Sequence, residues 1–460
     1  MSKLTLTDSQ KAAVKSTVDF ISSGHPKEWF CLEGKAGVGK TTVLIEIIMK
    51  YNGKKNIVAC ALAHKAKNVI FDKVKGRLHR DANKNSVSFY SIAGLLGMKM
   101  DEMSGEFSID YYADKPIDTA DIIIVDECSM VDEPMLELIM THKKPMCKVI
   151  FSGDMGQLPP IRENGNDLES SVFNTKNSYK LYERLRQGDE SPILPYSDYY
   201  WNSVMDNTDH VCTAQRDSVF GDKGVLHFGN FNDVMQQAIK GFKKCIDSGD
   251  TNMLKIVCYR NNTITTLNKI IRQGLYGDNH AQFEVGDVIM MYDNFSVSQS
   301  ETVENSLEFR VLDVETVSKN IYGVDIETHM LTVDYCFKNG NNVCLPVVAD
   351  RSIGDFNALV ARLFDNAKMY RLNSTERKNA YKNAYNVKNM FANVKHSFCI
   401  SSHKSQGSTY KSVIVYESDI MGVYATSMKT KYRSMYTAIT RGSNMCVIMN
   451  DNAPASSWNI

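Results

Sequence analysis

The octapeptide Gly34-Lys35-Ala36-Gly37-Val38-Gly39-Lys40-Thr41 constrains this chain more than any other stretch. It fits the pattern G-x-x-x-x-G-K-[ST], follows an apolar run, Trp29 to Leu32, and precedes Thr42 to Met49, whose apolar residues recur at helical spacing. A strand, a glycine-rich loop and a helix in that order call for an α/β fold. The glycines let the loop turn its N–H groups inward at a helix N-terminus, where the backbone dipole is positive, so the stretch Gly34, Ala36, Gly37, Val38, Gly39 can cradle phosphate oxygens. Lys40 would reach the β- and γ-phosphates of a nucleoside triphosphate, and the Thr41 hydroxyl would bind Mg²⁺. A glycine-rich turn without a ligand is the bland alternative, and the full pattern with both flanks argues against it.

A chain of 460 residues exceeds what one core holds, so roughly three or four compact units are expected. The segment Met1 to Gln10 is polar and no stretch is apolar over the length of a membrane span, which points to the cytoplasm and to no membrane partner. The 11 cysteines are scattered without a C-x-x-C pair, so they read as small buried hydrophobes, not as a disulfide framework or a zinc site. With 53 basic against 53 acidic residues, a nucleic-acid partner would have to be held by a local groove.

Ahead of the loop, Leu6-Thr7-Asp8-Ser9-Gln10 opens a helix, and the Gln10 amide, which can donate and accept, is placed to read an adenine edge. Asn56 to Ala63 reads as a second buried strand that ends in His64-Lys65-Ala66-Lys67, where a parallel sheet presents ligand contacts; solvated charges are the alternative. Met98 to Tyr112 reads as an inserted β-hairpin. The strand Asp121 to Val125 ends in Asp126-Glu127-Cys128-Ser129-Met130. Asp126 there suits Mg²⁺ and Glu127 suits a general base, although an Asp-Glu pair after a strand is elsewhere a helix cap. A further strand, Cys147 to Phe151, leads to Gly153-Asp154-Met155-Gly156-Gln157-Leu158-Pro159-Pro160, with Gln157 in the position of a γ-phosphate sensor.

The motif set Gln10, Gly34 to Thr41, Ala61 to Lys67, Asp126 to Met130 and Gly153 to Pro160 resembles superfamily 1 DNA helicases in their B-type, RecD/Dda-like branch. Ser401-Ser402-His403-Lys404-Ser405-Gln406-Gly407-Ser408-Thr409 and Tyr436-Thr437-Ala438-Ile439-Thr440-Arg441-Gly442 extend the match to residue 442. The resemblance implies a P-loop NTPase fold of two RecA-like motor domains with ATP and Mg²⁺ between them. It implies Lys40, Glu127, Gln157, Arg186 and Arg441 as the catalytic set, with Arg184 competing for the role of Arg186, and adds Thr42 and Gly407 to the nucleotide contacts. Two arginines arriving from the second domain would stabilise charge on the transferring phosphoryl group. On the nucleic-acid side it implies His64, Lys65, Pro159, Ser401, His403, Lys404 and Ser408, and Phe107 or Met103 is the candidate apolar tip of the hairpin that parts the duplex. Leu62-Ala63 departs from the family's Pro-Thr and removes a hydroxyl that would meet a DNA phosphate.

Met253 to Tyr259, His396 to Ile400, Val413 to Tyr416 and Cys446 to Met449 read as strands of the second motor. Short alternating strands from Phe283 to Asp350 signal a small β-barrel, which the resemblance makes SH3-like, and Phe356 to Phe391 reads as helical, with Tyr381 and Tyr385 either stacking on bases or packing on the barrel. The expected division is residues 1–185 (first motor, with a wedge hairpin at 96–118), 186–280 (second motor, first part), 281–392 (inserted barrel and helices) and 393–460 (second motor, second part). The expected activity is ATP-driven travel along single-stranded DNA, 5′-to-3′ by resemblance, with unwinding at duplex junctions. A monomeric motor is expected, in a phage host's cytoplasm if phage-encoded, working with a single-stranded-DNA-binding protein or replication proteins. Alternatives are a translocase that displaces proteins, a helicase acting on RNA, and a nucleotide-gated scaffold without turnover; the complete catalytic set argues against the last.

Overall fold

The computed structural model describes residues 6–24, 27–61, 64–78, 85–100, 107–110, 114–160, 169–183, 191–208, 210, 217–298, 302–334, 342–372, 374–424 and 426–451, with the backbone alone at 64–69, 100 and 107. The first domain is a six-stranded parallel sheet in the order Val87–Ser91, Ile57–Ala61, Ile122–Asp126, Lys148–Gly153, Trp29–Gly34, Ser178–Leu181. Ile122 to Val125 are fully buried, as a strand covered by helices on both faces requires. Each such side chain contributes about 1.5–3 kcal/mol on leaving water. The register pairs Ala61 with Asp126 and Glu33 with Gly153, so the glycine loop, the acidic pair and the turn after Gly153 emerge at one edge. Met98–Met100 pairs antiparallel with Phe107–Ile109, the expected inserted hairpin.

The second domain repeats the plan with the order Cys399–Ser401, Leu254–Cys258, Tyr410–Tyr416, Gly442–Met449, Lys223–Phe228, Ser218–Phe220, in which the last strand alone runs antiparallel. Both sheets carry the RecA-like α/β arrangement of a P-loop protein.

Between the helix Asn261–Tyr276 and Cys399 lies an antiparallel insertion: Val343–Val348, Val324–Val333, Glu308–Ile321, Val288–Met291, Val394–His396, in that order. In place of a closed barrel, the described residues form an open five-stranded sheet and a separate ribbon, Phe295–Ser296 with Thr302–Val303. The single strand expected over His396 to Ile400 is two. Val394–His396 pairs with Val288–Met291 in the insertion, whereas Cys399–Ser401 pairs with Leu254–Cys258 in the second domain. Phe398, fully buried in the second domain's core, marks the crossing, so the return from the insertion falls after residue 392. The helical stretch is a hairpin, Ile353–Lys368 and Thr375–Lys388, the second capped by Ser374, whose hydroxyl accepts the Arg377 N–H. Tyr381 and Tyr385 pack on Phe364, at ring separations of 6.0 and 4.9 Å, and so serve the hairpin's interior, not base stacking. Nine described cysteines are free thiols and all but Cys344 are buried.

Candidate functional site

Gly39 caps the helix Lys40–Tyr51 with φ +83° and Gly37 has φ +87°, left-handed conformations that turn the loop's N–H groups together. The Lys40 ammonium donates to the carbonyls of Gly34 and Lys35, at 2.7 and 3.1 Å, which holds it over the loop it serves. The Thr41 hydroxyl donates to Asp126 Oδ2 at 3.3 Å. Hydroxyl and carboxylate side by side form a hard-oxygen pair that fits Mg²⁺. Val38 is buried, and Thr42 is half-buried just ahead of Val43, where the covered face of the same helix begins.

Asp126 ends its strand buried and accepts the Glu127 N–H through Oδ1 at 3.0 Å. Glu127 then turns with φ +53°, a left-handed conformation that side chains rarely adopt. The turn aims its carboxylate inward, where Oε2 is buried without a hydrogen-bond partner among the described residues. Burial first, and the Asp126 charge second, push the Glu127 carboxyl above its ordinary value, while Arg441 and Lys40 pull it back. A carboxylate raised this way, beside two cations, has the chemistry of a general base.

Arg441 enters from the second domain and is 2% exposed. Its guanidinium donates to the carbonyls of Thr437 and Ser408, at 2.9 and 3.3 Å, and to the Thr440 hydroxyl at 3.2 Å. Gln157 is buried in the first domain, and its Oε1 accepts Gln406 Nε2 of the second at 3.5 Å. Gln406, to which the sequence assigned no role, thus meets Gln157 across the cleft, and Gly407 beside it has φ +73°. Arg186 and Arg184 lie outside the described residues. Gln10 is less simple than expected. Its Oε1 accepts the Thr7 N–H at 3.1 Å in a capping box, so its acceptor is used locally. Its Nε2 is buried without a partner among the described residues and retains the donor for a base edge.

Of the residues expected to meet nucleic acid, His64 begins the helix His64–Lys75, but the side chains of His64, Lys65 and Phe107 lie outside the described residues, as does Met103. Ser401 caps a short helix by accepting the Lys404 N–H at 3.2 Å. His403 lies 5.9 Å, ring to ring, from Tyr259 at the end of the neighbouring strand, and burial depresses its pKa. Lys404 Nζ donates to Asn305 Oδ1 and Ser306 Oγ of the insertion, at 2.9 and 3.2 Å, and sits 4.7 Å from the Tyr292 ring centroid, with Lys395 at 4.5 Å. Tyr292 and Lys395 carried no motif signal; only folding gathers them here. Ser408 and Pro159 are buried, Pro159 beside Gln157 and Arg433, so neither presents a side chain to a passing strand.

Residues 17–163 match the family model of an AAA domain, and residues 396–449 that of a UvrD-like helicase C-terminal domain. The chain is 22% identical to the ATP-dependent DNA helicase dda of Enterobacteria phage T4, over 95% of this chain and 97% of that protein. Both matched regions and this full-length likeness point to the superfamily 1 helicases of the RecD/Dda-like branch. The chain is also 23% identical to uncharacterized protein R530 of Acanthamoeba polyphaga mimivirus, over 94% of this chain and 97% of that protein. It is 23% identical to the RecBCD enzyme subunit RecD of Buchnera aphidicola, over 91% of this chain and 69% of that one. Among solved structures, it shares its fold with Pif1 helicases described at forked dsDNA (TM-score 0.53, 15% identity, 97% of this chain and 92% of that one). The Pif1 helicase from Candida albicans is similar too (TM-score 0.50, 15% identity, 99% and 97%).

Proposed function

We propose that this superfamily 1 helicase hydrolyses ATP in the cleft between its two RecA-like domains and uses the cycle to travel along single-stranded DNA and open duplex ahead of it. The observation that carries this reading is the divided site: Glu127 and Lys40 of the first domain lie in the field of Arg441 from the second, and Gln157 touches Gln406 across the same cleft. Glu127 would take a proton from the attacking water, and Arg441 would stabilise the charge that develops on the transferring phosphoryl group. Thr41 and Asp126 would hold Mg²⁺, which neutralises phosphate charge. Gln157 would sense the γ-phosphate and pass its loss to Gln406. Arg186 is proposed as a second arginine at the opening of the second domain.

The helicase dda is named for acting on DNA, and that substrate is proposed here. Lys404, with Lys395 across the Tyr292 ring, offers phosphate contacts where the second domain meets the insertion. We take the insertion's open sheet for a clamp on the strand and the hairpin Met98–Met100/Phe107–Ile109 for the wedge at the fork. Travel is 5′-to-3′ by family, and the motor works as a monomer in the cytoplasm beside single-stranded-DNA-binding or replication proteins. Among the described residues no helix is long and apolar enough to cross a membrane.

The test combines ATPase measured with and without single-stranded DNA and unwinding of duplexes carrying a 5′ or a 3′ tail. Stimulation by DNA and unwinding from the 5′ tail are expected, and Lys40→Ala should abolish turnover while retaining DNA binding. Absence of stimulation sinks the motor. Stimulation without unwinding favours a protein-displacing translocase, and stimulation by RNA alone an RNA helicase.

A further inference from the structure

Asp154, in the turn after Lys148–Gly153, is 1% exposed and gathers donors from both domains. Its Oδ1 accepts the Gly156 N–H at 3.0 Å and the Trp201 indole N–H at 3.1 Å, and its Oδ2 accepts the Tyr436 hydroxyl at 2.5 Å. The same Tyr436 oxygen accepts the N–H of Ala36, within the phosphate loop, at 2.9 Å. One chain of polar contacts therefore runs from Trp201 through Asp154 and Tyr436 to Ala36. Trp201 lies on the helix Ile193–Asp206, which packs in the second domain's core, and Tyr436 lies on Met428–Ile439, the helix that leads into Arg441.

Trp201 also reaches the loop directly. Lys35 Nζ lies 4.1 Å from its ring centroid and forms an ion pair with Asp198 on the same helix. Gly156 packs so closely that a Cβ there would come within 2.2 Å of Trp201 Cδ1. The second domain thus holds the phosphate loop at Lys35 and Ala36 and, at the same time, the turn that carries Gln157. None of these contacts belongs to the hydrolytic set described above.

We propose that Tyr436 and Trp201 are positioning residues that set the phosphate loop and the Gln157 turn in register when the domains close, acting through the Asp154 carboxylate. A buried carboxylate deprived of donors is unfavourable, whereas one with three is held by strong, charge-assisted bonds, so the arrangement is stable only when both second-domain donors arrive. Because Tyr436 and Arg441 share one segment, delivery of the arginine is tied to capture of Asp154. When the domains part, Asp154 meets water, the Ala36 N–H loses its hydroxyl and the Gln157 turn is released.

The inference rests on the helicase reading, and the experiment separates the two. Tyr436→Phe retains the ring and removes the hydroxyl. It is expected to lower DNA-stimulated kcat about tenfold, with KM for ATP within about twofold of wild type. Trp201→Phe, which removes the indole N–H, should do likewise, and the double variant should lose clearly less than the product of the single losses, since both act through one carboxylate. Addition of a non-hydrolysable ATP analogue with Mg²⁺ should change tryptophan emission in wild type, less in Tyr436→Phe and not in Trp201→Phe. A wild-type protein without DNA-stimulated turnover overturns the function. A stimulated wild type with Tyr436→Phe kcat within about twofold of it, or single losses that multiply in full, overturns this inference. A merely structural Tyr436 would shift the melting temperature and leave kcat and emission alone. Should Tyr436→Phe fail to fold, Trp201→Phe decides by the same kcat criterion.

Discussion

Replacing Glu127 with Gln preserves the side chain's shape and removes both its charge and its basicity, so activity and stability should move in opposite directions. Loss of a positioned general base costs about 10²- to 10⁴-fold in rate, or about 2.7–5.4 kcal/mol of transition-state stabilisation. The structure dictates the sign on stability. Burial, the largest cause, and Asp126 raise the folded-state pKa above the ordinary 4.5, with Arg441 and Lys40 opposing. Between those two values the unfolded chain has given up its proton and the folded one has not, so stability falls as pH rises through that window and the penalty is complete above it. Glu127→Gln should therefore melt higher than wild type at neutral pH, and the gap should close as pH falls to 4.5. The assays are kcat at saturating single-stranded DNA and thermal denaturation across pH. In wild type, the acid limb of kcat/KM should lie above 4.5 and reflect the free enzyme's base. A variant that hydrolyses ATP within about tenfold of wild type, or an acid limb at or below the ordinary Glu value, would refute the assignment.

Three further outcomes are expected. Lys404→Ala should weaken single-stranded DNA binding about fivefold to tenfold and reduce the slope of log Kd against log salt by roughly 0.7, read by fluorescence anisotropy at several salt concentrations; an unchanged slope would mean that Lys404 meets no phosphate. Replacing residues 101–106 with Asn-Gly retains the paired strands Met98–Met100 and Phe107–Ile109 and should abolish unwinding while leaving DNA-stimulated ATPase within about twofold; full unwinding would remove the wedge. Asp287 is fully buried, accepts the Arg272 guanidinium at 3.0 Å and faces His396, and although burial works to raise its pKa, His396 and Arg272 hold it below 3.8. Asp287→Asn should destabilise the joint between insertion and second domain by about 3–5 kcal/mol in denaturant unfolding, and the wild type should lose this contribution as pH falls below 3.8 through the folded value.

Much of this molecule was legible along the chain because its information is local. An apolar run, glycines and a helical period specify strand, loop and helix within a few residues, so Gly34 to Thr41 and Asp126-Glu127 were readable without a fold. Other elements were not. The strands Ser178–Leu181 and Lys223–Phe228 and the helices Ile193–Asp206 and Phe231–Ser248 carry mixed compositions whose apolar faces gain meaning only from the sheets they complete. Tyr381 and Tyr385 show the limit from the other side: an aromatic, basic composition suits bases or a helix partner equally, and Phe364 decided it. Gln10 was found for its amide, yet capping by Thr7 takes the acceptor. What the sequence by itself determined is the phosphate loop, the acidic pair and the class of chemistry they serve. What only the tertiary structure decided is the second half of the site: Gln406 against Gln157, Arg441 in the field of Glu127, and Tyr436 on Ala36 across 400 positions of chain. Contacts at that separation follow from the packing of whole domains, which no local periodicity encodes.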